Sequence, residues 1–364
     1  MRASKKIVII QDYLRNGGTE RQSVFLAGAF AGAGHEVTLL TFRPGGALGA
    51  RTGVQGSGFR VQSLQCFDTG LDFFAPRLHA VIRRIAPDIV LCMGRMANCK
   101  AGRLARAFPR VAVVSTMRTG KELPRAYARS LFVTRHTIAN SHEAARVLRE
   151  RHGVPAERIS VIHNALVAGV SQAHGQGVAS DGPAPRLLCV AMFRPEKNQR
   201  ELIEIFARLS GRLDSGLGTR DLGVELHFVG DGPELAGCRA LAERLGVGGR
   251  VWFHGYVANP APFYQGAAVA VLASRSESLP NFLVEAHAHG IPSVAYGAGG
   301  VAECGGVVIA PGDQDGFGAA LERAVVDSAW RDEESARVAA YAREHFSAGA
   351  QVRRYLELFD ALAR

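Results

Sequence analysis

The stretch AVAVLASRSESLPNFLVEAHAHGIPSVAY, residues 268–296, contains two short apolar runs with a helical pattern between them. The runs at its two ends are rich in Val and Ala, and their length predicts buried strands. Pro280 favours the first turn of a helix and Gly290 favours its end, so residues 281–289 are predicted to be helical. A strand, a helix and a strand in this order form a βαβ unit with parallel strands.

The same alternation covers most of the chain. In the first half it predicts strands at residues 5–13, 36–42, 88–94, 111–117, 137–141 and 159–165, and helices near 19–33, 77–86, 142–152 and between 94 and 111. In the second half it predicts strands at 186–193, 224–230, 250–256, 268–274, 292–296 and 306–310, and helices near 198–213, 234–245, 281–289, 314–327 and 348–363. Such alternation is typical of α/β proteins, and it predicts two Rossmann-like, doubly wound domains.

Residues 169–185, GVSQAHGQGVASDGPAP, are dense in Gly, Pro, Ala and Ser and lack periodicity, which predicts a linker. The predicted domains are therefore 1–168 and 186–345. A last helix within 346–364 is expected to pack back toward the first domain. Ligands of open parallel sheets bind outside the carboxyl ends of the strands, so the cleft between the domains is the expected ligand site.

The chain has 364 residues, of which 47% are hydrophobic, and a composition that excludes a disordered protein. Its net charge of +10 is uneven, because residues 1–168 carry 25 Lys and Arg against 10 Asp and Glu. The first half thus has a net charge of +15 and the second half −5. This asymmetry indicates an anionic partner for the first half: nucleic acid, an anionic membrane surface or a phosphorylated substrate. Solvated Arg side chains on helix faces are the simpler explanation.

The six Cys occur singly and form no C-x-x-C pair, which argues against a zinc or redox site. Most lie in apolar runs, where buried reduced thiols are expected. The apolar run near the start is too short for the core of a signal peptide, and no run approaches the ~18–20 residues that span a bilayer. We therefore expect a cytoplasmic protein that is at most peripherally attached to a membrane.

Two carboxylates, Glu277 and Glu285, lie on either side of the predicted helix start. That start, at Asn281 and Phe282, offers backbone N–H groups and the positive end of the helix dipole, and both favour a phosphate. Glu285, about one turn further along, can accept hydrogen bonds from the ribose hydroxyls of the same nucleotide. By spacing alone, a cap-side carboxylate and a solvated helix residue explain the two Glu equally well.

This segment resembles the donor-binding motif of retaining GT-B glycosyltransferases of the group 1 (family 4) type, such as those that build bacterial lipopolysaccharide and cell-surface polysaccharide. In that motif two Glu at this spacing precede a small-residue helix, Gly-x-Pro, a strand and Gly-Gly-x-x-Glu. Here the later parts are Gly290-Ile291-Pro292 and Gly299-Gly300-Val301-Ala302-Glu303. Further elements follow the family's order: Gly17-Gly18-Thr19-Glu20, Asn140-Ser141, Val161-Ile162-His163-Asn164, Phe193-Arg194-Pro195-Glu196-Lys197-Asn198, Gly230-Asp231-Gly232-Pro233-Glu234 and Phe253-His254-Gly255.

The resemblance implies a donor site built mainly by the second domain. Lys197 and Arg194 would neutralise the donor diphosphate and Glu277 would lie at the donor sugar, so these three are the expected catalytic residues. The further donor-binding residues that the resemblance implies are Gly17, Gly18, Asn281, Phe282, Glu285, Gly230 and His254. Family members often carry an Arg where this chain has Met192, and Arg194 is the candidate substitute. For Gly17 and Gly18, an ordinary strand-to-helix turn is an equally good explanation.

Many relatives place a His near the transferred sugar, at the position where this chain has Arg118. A guanidinium stays protonated and cannot act as a general base, so we assign Arg118 to binding of the sugar or acceptor. Arg95, with Asn98 and Lys100, follows another predicted strand and is expected to line the acceptor side. A solvated helix start explains these three residues as well.

Other enzyme classes lack their motifs in this chain. A G-x-x-x-x-G-K-[ST] loop is absent, the sequence at His142-Glu143 misses the second His of a zinc protease, and the first half has no G-x-G-x-x-G. We therefore expect neither a P-loop enzyme nor a nicotinamide dehydrogenase, and the predicted enzyme uses no metal and no cofactor besides its nucleotide-sugar co-substrate.

The predicted function is transfer of a sugar, with retention, from a nucleotide sugar to a lipid-linked or lipopolysaccharide-type glycan, and a UDP-sugar is the favoured donor. The basic first domain adds an anionic membrane surface as a partner, on the cytoplasmic face of the inner membrane. One alternative is a nucleotide-sugar epimerase of related two-domain fold. Another is a basic nucleic-acid-binding protein, but no binding motif or aromatic array accompanies the Arg-rich segments, so nucleic acid is not the expected partner.

Overall fold

The computed structural model describes residues 4–15, 17–49, 58–166, 184–215 and 223–363. The chain divides into two compact units, Met1–Val167 with Ala348–Arg364, and Ala168–Ser347. Of the predicted linker, residues 169–183 lie outside the described residues. Each unit has a parallel sheet covered by helices, so the prediction of two Rossmann-like α/β domains is confirmed.

The first unit contains a seven-stranded parallel sheet with the order β3-β2-β1-β4-β5-β6-β7. Its strands are β1 Lys6–Gln11, β2 Glu36–Thr41, β3 Arg60–Ser63, β4 Ile89–Cys92, β5 Ala112–Met117, β6 His136–Ala139 and β7 Ile159–Val161. Its first five helices are α1 Gly18–Gly32, α2 Leu78–Ile85, α3 Arg95–Ala107, α4 Arg125–Leu131 and α5 His142–Glu150. The central strands are buried on both faces, as their continuous apolar runs require.

The second unit contains a six-stranded parallel sheet with the order β10-β9-β8-β11-β12-β13. Its strands are β8 Arg186–Val190, β9 Glu225–Val229, β10 Val251–Phe253, β11 Val269–Leu272, β12 Ser293–Tyr296 and β13 Val307–Ile309. Its helices are α6 Gln199–Ser215, α7 Leu235–Arg244, α8 Ala261–Tyr264, α9 Asn281–Ala288, α10 Gln314–Val326 and α11 Ser328–His345. Residues 268–296 thus form β11, α9 and β12, and β11 and β12 are neighbours in the sheet.

The last helix, α12 (Ala348–Leu362), belongs to the first unit. Its Tyr355 and Phe359 rings lie 5.8 and 5.5 Å from the ring of Phe30 on α1. These two helices cover one face of the first sheet, and α2 and α3 together cover the other. The first unit is therefore completed by chain that follows the whole of the second unit.

The sequence pattern did not predict four of these strands and helices, namely β3, α4, α8 and α11. The strand β3 has the sequence RVQS and is only half buried, so it lacks an apolar run that periodicity can detect. The helix α11 is polar along most of its length and buries only Val338, Ala339 and Ala342. A helix with so narrow an apolar stripe gives a weak 3.6-residue signal.

Among the helices that the structure describes, none combines the length and the apolar character needed to cross a membrane. The six Cys are free thiols, and Cys92, Cys189, Cys238 and Cys304 are buried. Burial raises the pKa of the Cys189 thiol to about 12.

Candidate active site

The carboxyl ends of two neighbouring strands of the second unit, β8 and β11, bring together two of the predicted catalytic residues. Lys197 lies in a short turn after β8, and Glu277 lies in the loop after β11. Lys197 Nζ lies 2.6 Å from Glu277 Oε1. The Glu277 side chain is 9% exposed and the Lys197 side chain 25% exposed, so the pair stands at the sheet edge within reach of solvent and ligand.

Two hydrogen bonds between the loops hold this pair in place. Asn198 adopts a left-handed conformation, and its side-chain amide donates to the carbonyl oxygen of Ala273 at 3.2 Å. The backbone N–H of Arg275 donates to the carbonyl oxygen of Glu196 at 2.8 Å. The loops after β8 and β11 are thus bonded to each other through the residues on both sides of Lys197, which holds Lys197 close to the loop that carries Glu277.

The glycine pair after β12 acts on the same loop, a role that the sequence alone did not reveal. Gly299 has a φ of +60°, and a Cβ there would lie 1.9 Å from the backbone oxygen of Glu277. Only glycine permits both the left-handed backbone and this close approach. Gly299 therefore determines how tightly the Glu277 loop packs against the end of β12.

Gly230 follows β9 at the same sheet edge and makes an equally close approach. Its φ is +148°, and a Cβ there would lie 2.0 Å from the carbonyl oxygen of Ala191. Its N–H donates to the carbonyl oxygen of Gly255 at 2.8 Å, which links the loops after β9 and β10. The structure thus places Gly230 beside the start of the loop that carries Arg194 and Lys197.

His254, after β10, turns its ring toward a cluster of aromatic groups. Its Nε2 lies 3.1 Å from Nδ1 of His227, and its ring centroid lies 4.6 Å from that of Phe263. Burial, together with the neighbouring His227, lowers the pKa of His254. The ring is therefore engaged in packing at the end of β10, on the same sheet edge as Gly230.

The helix α9 begins at Asn281, directly after Pro280, as predicted. Phe282 is buried, and its ring lies 6.3 Å from that of Tyr264. Glu285 lies one turn further along, where its Oε2 accepts a hydrogen bond of 2.7 Å from the Tyr264 hydroxyl. Glu285 is thus oriented by Tyr264, a partner that the spacing of the two Glu gave no reason to expect.

Arg194 and Met192, in the loop after β8, both have solvent-accessible side chains, but only Arg194 carries a charge. Arg194 is 41% exposed along its side chain, and its guanidinium lies 4.0 Å from the Glu196 carboxylate. Met192 is 51% exposed and presents a thioether at the position where the resemblance implies an Arg. Lys197 and Arg194 therefore supply the positive charge of this loop.

The first unit has a cavity of about 460 Å³ at the carboxyl ends of β1, β4 and β5. Arg95 and Arg118, the predicted acceptor-side residues, both line it. The other lining residues are Gln11, Asp12, Arg15, Thr19, Glu20, Asp72, Phe73, Met93, Gly94, Met96, Asn98, Thr116, Thr119 and Tyr127. Gly17 caps the start of α1 and Gly18 is its first residue, just before the lining residues Thr19 and Glu20.

Asp12 is the main residue of this cavity that sequence reasoning missed. It directly follows β1, is 8% exposed, and accepts hydrogen bonds from the N–H groups of Met96 and Ala97 at the start of α3. Burial raises the pKa of Asp12 to about 6, against the opposing effect of those two bonds. A Cβ at Gly94 would lie 2.3 Å from the Asp12 carboxylate, so the glycine makes room for it.

The cavity's two predicted arginines are held by neighbours of different kinds. The Arg118 guanidinium donates to the Asn164 side-chain oxygen and, at 3.5 Å, to the Tyr355 hydroxyl of α12. Its Nε is buried and has no hydrogen-bond partner within the described part of the chain. Arg95 donates to the carbonyl oxygen of Glu122 at 2.7 Å.

Asn98, which also lines the cavity, has its side chain engaged in hydrogen bonds to the backbone. It is 1% exposed, and its side-chain nitrogen donates to the carbonyl oxygens of Cys92 and Gly94. Its side-chain oxygen accepts from the N–H of Thr116 at 3.0 Å. These bonds tie the end of β4 to β5 and leave Arg95 as the exposed member of the predicted group.

Two family models match the chain, one over each half. Residues 16–167 match the model described as Glycosyltransferase Family 4, and residues 184–327 match the model described as Glycosyl transferases group 1. The first match covers most of the first unit, and the second covers the strands and loops that carry Lys197, Glu277 and Glu285.

The chain is also similar to a curated protein and to solved structures along most of its length. It is 28% identical to the lipopolysaccharide core biosynthesis glycosyltransferase LpsE of Rhizobium meliloti, over 87% of this chain and 88% of that protein. The crystal structure of HepE from Anabaena in complex with UDP and glucose superposes with a TM-score of 0.78 at 20% identity, covering 98% of this chain and 100% of that one. A glycosyltransferase from Rickettsia africae gives a TM-score of 0.80 at 14% identity, with both chains fully covered.

Proposed function

Because the chain belongs to the glycosyltransferases that join a family 4 domain to a group 1 domain, we propose that it transfers a sugar from a UDP-sugar, with retention, to a lipid-linked or lipopolysaccharide-type glycan. The similarity to LpsE supports the class of acceptor. The structural likeness to a protein solved with UDP and glucose supports the class of donor. Retention follows from the resemblance of the motif around Glu277 and Glu285.

The pair of Lys197 and Glu277 is the observation that carries this proposal. A lysine ammonium at the edge of a parallel sheet neutralises a diphosphate, and the start of α9 adds the positive end of a helix dipole. This positive charge stabilises the nucleoside diphosphate as it leaves the sugar. Glu277, which holds Lys197 at 2.6 Å, also accepts hydrogen bonds from the sugar hydroxyls and offsets positive charge that develops at the anomeric carbon.

The other residues of the proposed donor site lie at the same edge of the sheet. Glu285 accepts hydrogen bonds from the ribose hydroxyls, in the orientation that Tyr264 gives it. Gly230 and the backbone beside His254 bind the nucleotide where the loops after β9 and β10 meet. Since Lys197, Arg194 and the helix start supply the positive charge, we propose that the reaction needs no metal ion.

The acceptor binds in the cavity of the first unit. Arg118 and Arg95 line it and donate hydrogen bonds to acceptor hydroxyls or to an acceptor phosphate. Gly17 and Gly18, at the start of α1, allow a phosphate or the reacting sugar to approach the backbone closely.

A donor screen with site variants tests the proposal. UDP-sugars should raise the unfolding temperature of the protein more than GDP- or ADP-sugars, because a ligand stabilises the folded state in proportion to its affinity. Turnover of the donor should require an added glycan acceptor, which an epimerase would not need. Glu277→Gln should lower turnover more than it lowers UDP affinity, and the reverse order would contradict a role at the sugar.

A further inference from the structure

The first turn of α6 carries a carboxylate, Glu201, that has no role in the mechanism proposed above. Its Oε2 accepts a hydrogen bond of 2.6 Å from the side-chain nitrogen of Asn198, and its Oε1 accepts one of 2.7 Å from the Tyr296 hydroxyl. The Arg275 guanidinium lies 3.5 Å from Oε2, and the Glu201 side chain is 11% exposed. One carboxylate therefore contacts the chain at the ends of three neighbouring strands, β8, β11 and β12.

Two of these partners lie next to the predicted catalytic pair. Asn198 directly follows Lys197, and Arg275 precedes Glu277 by two residues. The same Asn198 nitrogen also donates to a carbonyl oxygen at the end of β11, at 3.2 Å. The contacts of Glu201 thus join the loop that carries the ammonium group to the loop that carries the catalytic carboxylate.

The third partner, Tyr296, belongs to the sheet itself. It is the last residue of β12, is 2% exposed, and its ring lies 4.8 Å from that of Phe317 on α10. It precedes Gly299, the glycine that packs against the backbone of Glu277, by three residues. Because packing fixes the Tyr296 ring, its hydroxyl gives Glu201 a rigid point of attachment.

The charge states of Glu201 and Tyr296 favour this arrangement. Burial alone would raise the pKa of the Glu201 carboxyl, but its hydrogen bonds, led by those from Asn198 and Tyr296, outweigh burial and lower that pKa. Burial and the bond to Glu201 both raise the pKa of the Tyr296 hydroxyl. At neutral pH the carboxylate is therefore charged and the hydroxyl keeps its proton. Hydrogen bonds to a charged acceptor are the stronger kind.

We infer that Glu201 is a positioning residue of the donor site, which holds the Glu277 loop against the Lys197 loop and both against the end of β12. Both oxygens of Glu201 already accept from groups of the chain, so it acts through the loops and not on the substrate. Its effect on the reaction rests on the proposed function, whereas its effect on the loops does not.

Kinetics and UDP titration of Glu201→Ala test this role. With a UDP-sugar and a glycan acceptor, kcat should fall about 10–100-fold, because a misplacement of about 1 Å at the reacting centre is enough for such a loss. The affinity for UDP should stay close to the wild-type value, because the flexible stem of Lys197 still reaches the diphosphate when the loops loosen. A loss of UDP affinity as large as the loss of kcat would contradict a role in placing Glu277.

Control variants separate this role from a general loss of stability. Glu204 lies on the same helix and, in the part of the chain that the structure describes, shares none of these contacts of Glu201, so Glu204→Ala should keep the wild-type kcat. Glu201→Gln keeps the length of the side chain, with one acceptor for Asn198 and a donor for the Tyr296 oxygen. It should therefore restore most of the activity that Glu201→Ala loses, whereas the shorter Glu201→Asp should not.

Tyr296→Phe tests the same connection from its other end, and it serves even where Glu201→Ala does not fold. It removes only the hydroxyl and keeps the ring packed on Phe317. Alone it should lower kcat, and combined with Glu201→Ala it should add no further loss, because groups that act as one unit are not additive. Fully additive losses would contradict the connection between Glu201 and Tyr296.

Hydrogen exchange gives a measurement that does not depend on activity. The Arg275 amide, bonded to the Glu196 carbonyl oxygen, should exchange about tenfold faster in Glu201→Ala, while the amide of Phe228 within β9 should keep its rate, because the loops loosen locally. Equal acceleration at both sites would show a global loss of stability and would overturn the inference, as would an unchanged kcat in Glu201→Ala.

A wild-type protein that turns over no UDP-sugar would refute the proposed function instead. In that case the exchange rates of Arg275 and Phe228 still decide whether Glu201 holds the loops together.

Discussion

The two units share an architecture but differ in what stands at the carboxyl edge of the sheet. In the second unit a Lys and a Glu of opposite charge meet at 2.6 Å, and glycines bring neighbouring loops into close contact. In the first unit the same edge opens into a cavity of about 460 Å³, whose lining includes the buried Asp12 carboxyl and three arginines. Because one topology supports both arrangements, the loops after the strands, and not the fold, determine what each unit binds.

The outer surfaces differ as strongly as the sites. The first half of the chain has a net charge of +15 and exposes Phe67, Phe73 and Phe74, whereas the second half has a net charge of −5. In the proposed donor site, Lys197 and the start of α9 supply the positive charge for a diphosphate. The excess positive charge of the first half is therefore not needed to bind the donor.

Removal of the Lys197 charge should have the largest effect on the second unit. We expect Lys197→Ala to lower kcat by about 10²–10³-fold, the loss seen when one group that stabilises transition-state charge is removed. Arg244→Ala, an exposed basic residue at the end of α7, is the matched control and should keep the wild-type rate. Steady-state kinetics with a UDP-sugar and a glycan acceptor measure both variants. Equal rates for the two variants would contradict a role of the Lys197 charge in the reaction.

Asp12 should make the first unit less stable as the pH rises. Its pKa of about 6 in the folded protein lies above its ordinary value of 3.8, so the folded state holds the proton more tightly than the unfolded state. Its stabilising contribution is present below pH ~4 and is lost as the pH rises through ~6, for a total of about 3 kcal/mol at ~1.4 kcal/mol per pKa unit. Asp12→Asn removes this titration.

Hydrogen exchange of the first unit's sheet as a function of pH measures this contribution. The difference in unfolding free energy between the wild type and Asp12→Asn should decrease between pH 4 and pH 6. A difference that stays constant over this range would show that Asp12 has an ordinary pKa and is not buried as described.

His287 should give the second unit the opposite pH dependence. It lies on α9, is fully buried, and its Nδ1 and Nε2 lie 2.9 and 2.8 Å from the Cys304 carbonyl oxygen and the Ser293 hydroxyl. Burial lowers its pKa from 6.5 to about 4. The unfolded state therefore binds the proton first, and the stability is present above pH ~6.5 and lost as the pH falls toward ~4.

NMR titration of the His287 ring provides the measurement. The ring signals should remain those of neutral imidazole down to pH ~5, and the second unit's amides should exchange faster as the pH falls below ~6 than intrinsic exchange alone predicts. A midpoint near 6.5 would contradict the buried, neutral His287 that anchors α9 to the end of the Gly299–Cys304 turn.

Gly299→Ala should have a specific effect on the candidate site of the second unit. The left-handed alanine alone costs about 1–3 kcal/mol of stability. The added methyl, 1.9 Å from the Glu277 backbone oxygen, adds to this cost. Gly246 has a similar φ of +72° with open space around it, so Gly246→Ala measures the backbone strain alone. Thermal denaturation compares the two variants, and only Gly299→Ala should also lower turnover, since it displaces Glu277. Equal activity in both would remove Gly299 from the site.

Much of this organisation could be predicted from the sequence, because it rests on local patterns. The apolar runs gave the strands of both sheets except β3, and Pro280 and Gly290 marked α9 within a residue. The resemblance of the motifs around Lys197, Glu277 and Glu285 predicted that these residues share one site, and parallel strands bring such loops to one edge of a sheet.

What the sequence did not reveal depends on contacts between distant segments. Asp12 bonds to N–H groups more than 80 residues away, and Tyr264 orients Glu285 from another helix. Asn98 follows a strand, as many binding residues do. Its side-chain amide, however, is hydrogen-bonded to the backbone of Cys92 and Thr116, near the ends of β4 and β5. No local period or spacing carries such information, because it arises only when the sheet has assembled.

Calorimetric titration with UDP of the wild type, Lys197→Ala and Arg118→Ala tests most directly that the second unit holds the nucleotide. Lys197→Ala should weaken UDP binding about 10–100-fold, since a hydrogen bond to a charged group contributes about 1.5–3 kcal/mol. Arg118→Ala should bind UDP as the wild type does, because Arg118 lines the cavity of the first unit, where the acceptor is proposed to bind. Wild-type affinity in Lys197→Ala together with a loss in Arg118→Ala would contradict a nucleotide site in the second unit.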